Sequence, residues 1–175
     1  MSIAHVVLLG PMGAGKTTLG RALAARLEVD LVDSDEALVV LTGKSAAEIA
    51  AGIGVPRLHS LERSIVSAAL NLPSRQVIAA AASVVDDEAT REKMREHLCI
   101  WVEADSATLA KRRQSGSHRR DMTDEEADDL NRARRLSVAD FVIGEVDTTS
   151  STVEQSTAVA MTILSPHFLP LDDSE

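Results

Sequence analysis

The residues with the clearest chemical potential form one short segment at positions 10–17. This segment, GPMGAGKT, matches the phosphate-binding pattern G-x-x-x-x-G-K-[ST] at every fixed position. Glycines let backbone N–H groups approach phosphate oxygens without an intervening side chain, and a helix N-terminus adds partial positive charge. Lys16 would reach the β- and γ-phosphates of a nucleotide, while the Thr17 hydroxyl would bind Mg²⁺. The residues predicted to contact the nucleotide are Gly10, Met12, Gly13, Ala14, Gly15, Lys16, Thr17 and Thr18.

The flanking sequence favours this interpretation over a chance glycine-rich turn. Residues 5–9 predict a short buried strand, and residues 16–27 predict a helix with Leu19, Leu23 and Leu27 on one face. A strand, the loop and then a helix are the context that the motif requires. The motif therefore predicts nucleotide binding, although it does not by itself distinguish a kinase from an ATPase or a GTPase.

Two acids, Asp33 and Asp35, follow the second predicted strand. In open α/β sheets, ligands bind beyond the carboxyl ends of the strands. One carboxylate of such a pair would support Mg²⁺, and the other would orient the hydroxyl of a phosphoryl acceptor. The alternative is that one of the two merely caps the helix that follows.

A basic cluster forms the third candidate for chemistry. Its members lie within positions 111–120, namely Lys111, Arg112, Arg113, His118, Arg119 and Arg120. In a P-loop protein such a segment predicts a mobile lid, here about 113–123, whose arginines reach the transferred phosphoryl group. The alternative is a solvated helix end. Arg134 and Arg135 are further candidates, for which a solvent-facing position is the simpler interpretation.

Composition limits the class of protein. The chain has 175 residues, 45% of them apolar and 2% aromatic, with a net charge of −9 and a single cysteine, Cys99. The acidic balance argues against a general nucleic-acid or anionic-membrane surface, and a single cysteine excludes an internal disulfide. We expect a soluble, cytoplasmic protein with one domain at about 1–164 and a disordered tail at 165–175.

Short apolar runs alternate with helical patterns along the chain, which is typical of an α/β fold with a parallel sheet. Capping-box patterns at residues 45–48 and 123–126 open two of the helices. The predicted strands are 5–9, 29–32, 76–80, 98–103 and 141–143. The predicted helices are 16–27, the segment after 35 to about 41, a short one from 45, 57–70, 87–96, 107–113, 123–136 and 151–164.

The order of these motifs resembles the shikimate kinase family, a P-loop group related to the nucleoside-monophosphate kinases. The resemblance covers about residues 5–164 and is strongest up to residue 65, where the P-loop, Asp33-Ser34-Asp35, Thr42-Gly43-Lys44-Ser45 and the segment 54–62 occur in sequence. It implies a three-layer P-loop kinase with a five-stranded parallel sheet in the order 2-3-1-4-5 and a closing lid. It also implies a monomer that uses ATP and Mg²⁺ and phosphorylates a hydroxyl of a small acid.

The resemblance also implies roles for single residues. Lys16 and Thr17 match the residues that hold ATP·Mg²⁺, Asp33 matches the acid near the metal, and Arg112 looks like the arginine that stacks on adenine. Catalysis would then rest on Lys16, Asp35 and Arg119. The residues implied to contact the acceptor are Asp35, His59, Ala81, Ala82, Arg119 and Arg134.

The acceptor side departs from the family pattern. His59 stands where the family has a carboxylate-binding arginine, Ala81-Ala82-Ser83 stands where it has successive glycines, and Arg119-Arg120 replaces an Arg-Pro pair. Cβ atoms at the former glycines would fill space beside the acceptor ring. The resemblance thus implies that the acceptor is shikimate, a similar small hydroxylated acid or another small polyol. The remaining alternatives are a non-catalytic nucleotide-binding relative and, disfavoured by the charge, a nucleic-acid kinase.

Overall fold

A fully parallel, five-stranded sheet organises the protein, for which the computed structural model describes residues 4–115 and 122–168. The strand order β2-β3-β1-β4-β5 confirms the predicted order 2-3-1-4-5. Because all five strands are parallel, their carboxyl ends lie at one edge of the sheet. The strands are β1 Val6–Leu9, β2 Asp30–Asp33, β3 Gln76–Ala79, β4 Leu98–Glu103 and β5 Val142–Asp147.

Helices connect the strands and cover both faces of the sheet. They are α1 Lys16–Leu27, α2 Ser34–Thr42, α3 Ala46–Ile53, α4 Val55–Ala69, α5 Glu88–Met94, α6 Ser106–Ser115, α7 Asp124–Ser137 and α8 Val153–Phe168, with a 3₁₀ turn at Ala82–Asp86. None of the helices in the described ranges is both long and apolar enough to cross a membrane.

The central strand β1 divides the core into two layers because its side chains alternate between the faces of the sheet. Val7 and Leu9 pack in the layer that also contains Trp101, and Val6 and Leu8 pack in the layer formed with α1 and α8. All four β1 side chains are fully buried. A strand buried on both faces needs a continuous apolar run, which explains why residues 6–9 contain no polar side chain.

Several predicted boundaries are wrong for identifiable reasons. Helix α4 begins at Val55 rather than Arg57, because proline in a first helical turn loses no hydrogen bond and so starts the helix instead of breaking it. The 3₁₀ turn at Ala82–Asp86 was not predicted, since a short alanine-rich run has no helical period. Strand β5 continues to Asp147, beyond the predicted end, because pairing with β4 extends through its polar residues.

Two helices run further than the sequence indicates. Helix α6 includes Gln114 and Ser115, which were predicted to lie in a loop. Helix α8 continues past Pro166 to Phe168, although the chain was predicted to be disordered from residue 165. The ring of Phe168 lies 4.6 Å from the guanidinium carbon of Arg75, and this contact helps to hold the last turn in place. Residues 169–175 lie outside the described ranges.

Two histidines, His5 and His97, are buried side by side just before β1 and β4, with ring centroids 4.9 Å apart. The Nδ1 atom of His5 accepts a hydrogen bond of 3.1 Å from the Gln76 backbone N–H, and Nδ1 of His97 accepts one of 3.2 Å from the His5 backbone N–H. Both rings must therefore be unprotonated at Nδ1. Burial lowers the pKa of both histidines, and the charge of Arg75 lowers that of His5 further, although a hydrogen bond with the Leu70 backbone acts on His5 in the opposite direction.

We expect the free energy of unfolding to decrease as pH falls below about 6.5, the ordinary pKa of histidine. The unfolded chain takes up protons there while the folded histidines stay neutral, so this stability is complete above that pH and is lost below it. Urea denaturation at several pH values would measure the effect. His97→Asn, whose amide oxygen can accept the same hydrogen bond, should lose less stability in acid than the unchanged protein. His167→Asn, at an exposed position of α8, is the control that should leave the dependence unchanged. Equal acid sensitivity in His97→Asn would contradict this explanation.

Candidate active site

The P-loop, defined as residues 10–17, joins the end of β1 to the start of α1. A Cβ atom at Gly10 would lie 1.9 Å from the backbone oxygen of Val102 in β4, so only glycine fits there. Gly13 and Gly15 have φ angles of 86° and 94°, in the region that side chains rarely adopt. Gly15 is the N-cap of α1 and brings no side-chain cap, so the first N–H groups of the helix can bind an anionic ligand.

Lys16 folds back over this loop. Its Nζ atom donates hydrogen bonds to the backbone oxygens of Gly10 at 2.8 Å and Pro11 at 2.9 Å. Burial lowers the pKa of Lys16 to about 8, although the nearby carboxylates of Asp35 and Asp33 act in the opposite direction. The ammonium group is thus poorly solvated, which strengthens its interaction with a phosphate, while the nearby acids favour its charged form.

Asp33 connects the P-loop to the second strand. Its Oδ2 atom accepts a hydrogen bond of 2.5 Å from the Thr17 hydroxyl. Its Oδ1 atom accepts bonds from the backbone N–H groups of Asp35 at 2.9 Å and Glu36 at 3.2 Å, and so caps α2. Both interpretations of this acid are therefore compatible, since one oxygen caps the helix while the other lies beside the hydroxyl predicted to bind Mg²⁺.

A cavity of about 510 Å³ lies at the carboxyl edge of the sheet, between the P-loop, the start of α2 and α7. It brings together the nucleotide and acceptor residues predicted from distant parts of the sequence. The predicted residues in its wall are Met12, Gly13, Gly15, Lys16, Thr17, Asp33, Asp35, Ala81, Ala82, Arg112 and Arg134. Asp35 lies in the exposed first turn of α2, so its carboxylate is accessible from the cavity.

Arg112 of α6 ties the P-loop to the end of β5. Its guanidinium donates to the Gly13 backbone oxygen at 3.0 Å, and to the hydroxyl and backbone oxygens of Thr148 at 3.0 and 2.9 Å. The Thr148 hydroxyl in turn donates to the Ala14 backbone oxygen at 2.7 Å. A second cavity of about 280 Å³ opens on the other side of this bridge, with Thr18 in its wall. Arg112 thus lies at the boundary between the two cavities.

Glu62 of α4 is a cavity residue that sequence reasoning used only as a landmark. It is 4% exposed and accepts a hydrogen bond from the hydroxyl of buried Ser83. A signal for it existed, because Glu62 lies at helical spacing between Leu58 and Val66, which are both buried. A charged residue in the apolar stripe of a helix indicates a functional or paired side chain.

Arg134 of α7 reaches the cavity from the opposite wall. It is 6% exposed, so the alternative of a solvent-facing position is wrong for this arginine. Its Nε and Nη2 atoms donate to the two carboxylate oxygens of Asp86 at 2.8 and 2.6 Å. Sequence reasoning missed Asp86, and no local pattern could have identified it, because its partner lies far away along the chain.

Some predicted residues lie elsewhere. His59 lies one helical turn before Glu62 in α4 and is not among the residues that line the cavity, so acceptor contact by His59 stays a prediction. Gly10 and Ala14 contribute backbone oxygens to the bonds of Lys16 and Thr148 and are not part of the cavity wall. Arg119, with most of the predicted lid, lies outside the described residues.

Comparisons with known sequences point to one family. The family model described as shikimate kinase matches residues 12–165. The shikimate kinase of Corynebacterium efficiens is 42% identical over 107 residues, which cover 61% of this chain and 62% of that protein. The shikimate kinase of Rhodococcus erythropolis is 38% identical over 113 residues, covering 65% and 66%. These alignments span less than two thirds of the length of either relative.

Solved structures share the fold. Shikimate kinase from Acinetobacter baumannii in complex with shikimate superposes with a TM-score of 0.83 at 21% identity, over 96% of this chain and 97% of that one. A gluconokinase from Sinorhizobium meliloti gives a TM-score of 0.62 at 16% identity, over 94% and 93%. At these identities the similarity establishes the fold alone.

The close approach of Gly10 to β4 leads to a stability prediction. We expect Gly10→Ala to lower the free energy of unfolding by about 3 kcal/mol or more, because the new methyl group would overlap backbone that cannot rotate away. Gly52→Ala is a matched control in α3, where an added Cβ meets nothing within 4 Å. This control should be neutral or stabilising by about 0.5 kcal/mol. Denaturant titration compares the two, and equal stabilities would contradict the close contact.

Proposed function

We propose that this chain, which belongs to the shikimate kinase family, transfers the γ-phosphoryl group of ATP to a hydroxyl of shikimate. The observation that carries the proposal is the convergence of Lys16, Thr17, Asp33 and Asp35 on one cavity behind a glycine-rich loop. Such an arrangement suits a reaction whose catalysis consists mainly of positioning and charge stabilisation. The A. baumannii structure with bound shikimate is consistent with this acceptor.

The P-loop would bind the phosphates of ATP. The positive φ angles of Gly13 and Gly15 give the loop a backbone conformation that side chains disfavour and that suits backbone N–H groups turned towards a phosphate. Lys16 would exchange its bonds to the loop oxygens for bonds to phosphate oxygens, which are stronger because both partners are charged. Arg112, at the boundary of the smaller cavity, would contact the adenine.

Thr17 and Asp33 are the residues we assign to Mg²⁺. Their hydroxyl and carboxylate oxygens are hard ligands of the type that Mg²⁺ prefers, and they lie 2.5 Å apart. Within the described parts of the chain, no larger cluster of His, Cys, Asp or Glu is arranged for a metal. Few protein ligands are expected, since Mg²⁺ usually completes its shell with water and phosphate. The ion would supply positive charge that offsets the negative charge of the phosphates.

Asp35 would bind the acceptor hydroxyl and accept its proton. The Asp33 cap fixes the first turn of α2, and Asp35 lies in that turn at the cavity wall. Its carboxylate is close enough to influence Lys16 electrostatically. The two acids would thus have different roles. Asp33, together with Thr17, would bind Mg²⁺, and Asp35 would bind the acceptor hydroxyl. Arg119, which the family resemblance assigns to the phosphoryl group, stays a prediction, as do a monomeric state and a cytoplasmic location.

A second candidate is a kinase for a different small polyol or hydroxy acid. The specific observation in its favour is that Ala81 and Ala82 line the cavity at positions where the family pattern has glycines. His59 also stands in place of an arginine and is not among the residues that line the cavity. A non-catalytic nucleotide-binding role is the third possibility, and the experiments below separate the three.

A coupled assay of ADP release with ATP and Mg²⁺, with and without shikimate, tests the proposal. We expect shikimate-dependent release, and a decrease in kcat of at least about 10³-fold in Lys16→Met, because the variant removes a charged donor to the transferred group. The cooperative unfolding of the variant should persist. ATP binding without release would contradict catalysis on shikimate. Release with a panel of other polyols would then identify the second candidate, and its absence with all of them would indicate the non-catalytic role.

The role of Asp35 can be separated from that of Glu36, the next residue in α2. We expect Asp35→Asn to lower kcat/KM for the acceptor by about 10²- to 10⁴-fold, the range typical of a lost general base. The affinity for ATP should stay within about twofold, since the P-loop contacts are untouched. Glu36→Gln is the matched control, because Glu36 lies in the same helical turn but pairs with Arg21 on the exposed surface. Equal losses in both variants would contradict a specific role for Asp35.

A further inference from the structure

The part of the 510 Å³ cavity lined by Asp35, Glu62, Ala81 and Arg134, here called the acceptor end, contains both acids and a cation. The groups that influence Lys16 electrostatically are the carboxylates of Asp35, Asp33 and Glu62 and the guanidinium of Arg134. Counted with Lys16 itself, this group contains three carboxylates and two cations. Arg134 is the cation that faces these acids from α7, so it is the described side chain best suited to bind a carboxylate on an acceptor.

Asp86 already occupies one edge of that arginine. The guanidinium can bind carboxylates through the edge formed by Nε and Nη2 or through the edge formed by Nη1 and Nη2. Asp86 takes the first edge with two hydrogen bonds of 2.8 and 2.6 Å. A ligand carboxylate would therefore meet Arg134 only through the second edge. It would also meet a guanidinium whose charge is balanced by a carboxylate in direct contact.

Asp86 itself lies outside the cavity. It ends the 3₁₀ turn that begins at Ala82, and its side chain is 40% exposed whereas that of Arg134 is 6% exposed. Asp86 can therefore change the electrostatic potential inside the cavity without touching a ligand there. Removal of the Asp86 charge would leave the buried guanidinium of Arg134 without its counter-charge, which a ligand carboxylate could then supply.

We propose that Asp86 is a specificity-determining residue which, by pairing with Arg134, weakens the binding of a carboxylate on the acceptor. The inference rests on the proposed function for the statement that the acceptor occupies this cavity. Its consequence is that the site gains less affinity from an acceptor carboxylate than the buried position of Arg134 would otherwise provide. A neutral polyol is then at a smaller disadvantage against a hydroxy acid.

The test compares one anionic ligand with its neutral counterpart. Isothermal titration in the presence of ADP and Mg²⁺ would measure the affinity of shikimate and of its methyl ester for the unchanged protein and for Asp86→Asn. We expect the variant to bind shikimate about fivefold more tightly and the ester with less than about twofold change. Asparagine keeps an oxygen that accepts from Nε, so the orientation of Arg134 is retained while the charge is removed. Asp140→Asn, which removes the carboxylate from a surface pair with Arg95, is the matched control and should alter neither affinity.

The outcomes separate this inference from the proposed function. A lower or unchanged ratio of acid to ester affinity in Asp86→Asn would overturn the inference. Asp86 would then either orient Arg134 for binding or have no effect on the ligand. A higher ratio supports the inference even if no phosphoryl transfer to shikimate is detected, a result that would overturn the proposed function alone. Failure of the unchanged protein and the variant to bind either ligand would overturn both. Thermal unfolding of each variant confirms that the comparison is made on folded protein.

Discussion

The carboxylate of Asp33 is the contact on which the geometry of the cavity depends. One oxygen meets the Thr17 hydroxyl at the end of the P-loop, and the other caps α2. A cap of this kind stabilises a helix by about 1 kcal/mol. Its greater effect here is geometric, because it couples the position of the P-loop to the first turn of α2, where Asp35 lies. The distance between the phosphate side and the acceptor side is therefore set by one short, buried side chain.

The sequence predicted those parts of the structure that local patterns encode. The P-loop has fixed residue types because backbone conformation and close approach demand them. The capping boxes at Ser45 and Thr123 are present because each needs only a helix start and a glutamate three residues later. The apolar strands and their parallel order follow from burial on both faces and from the resemblance to a known family.

Other features depend on contacts between distant segments, which a single sequence does not reveal. The bond between Arg134 and Asp86 joins α7 to the 3₁₀ turn, and the bridge from Arg112 to Thr148 joins α6 to the end of β5. Neither pair has a characteristic spacing. Glu62 is an intermediate case, because its place in the apolar stripe of α4 could have been noticed, but its contact with Ser83 could not.

The acceptor end combines an apolar wall with several acids. Ala81 and Ala82 offer an apolar wall against which a carbon ring can pack, whereas Asp35 and Glu62 offer acceptors for hydroxyl groups. Ser83 holds Glu62 in the wall by a hydrogen bond. A ligand with one apolar face and several hydroxyls satisfies both kinds of surface, which is the chemistry of a cyclic polyol. The replacement of glycines by alanines thus changes the shape of the site more than its polarity.

Helices α2 and α3 and the first half of α4 have a small core of their own, formed by Leu38, Ile49 and Leu58. This unit is inserted between β2 and β3, which are neighbours in the sheet. Substitutions within it therefore affect little of the packing beneath the P-loop. It nevertheless carries Asp35 and Glu62, which line the cavity. The wall of the cavity is thus shared between a unit with its own small core and the main core, which supplies Ala81 and Arg134 from the other side.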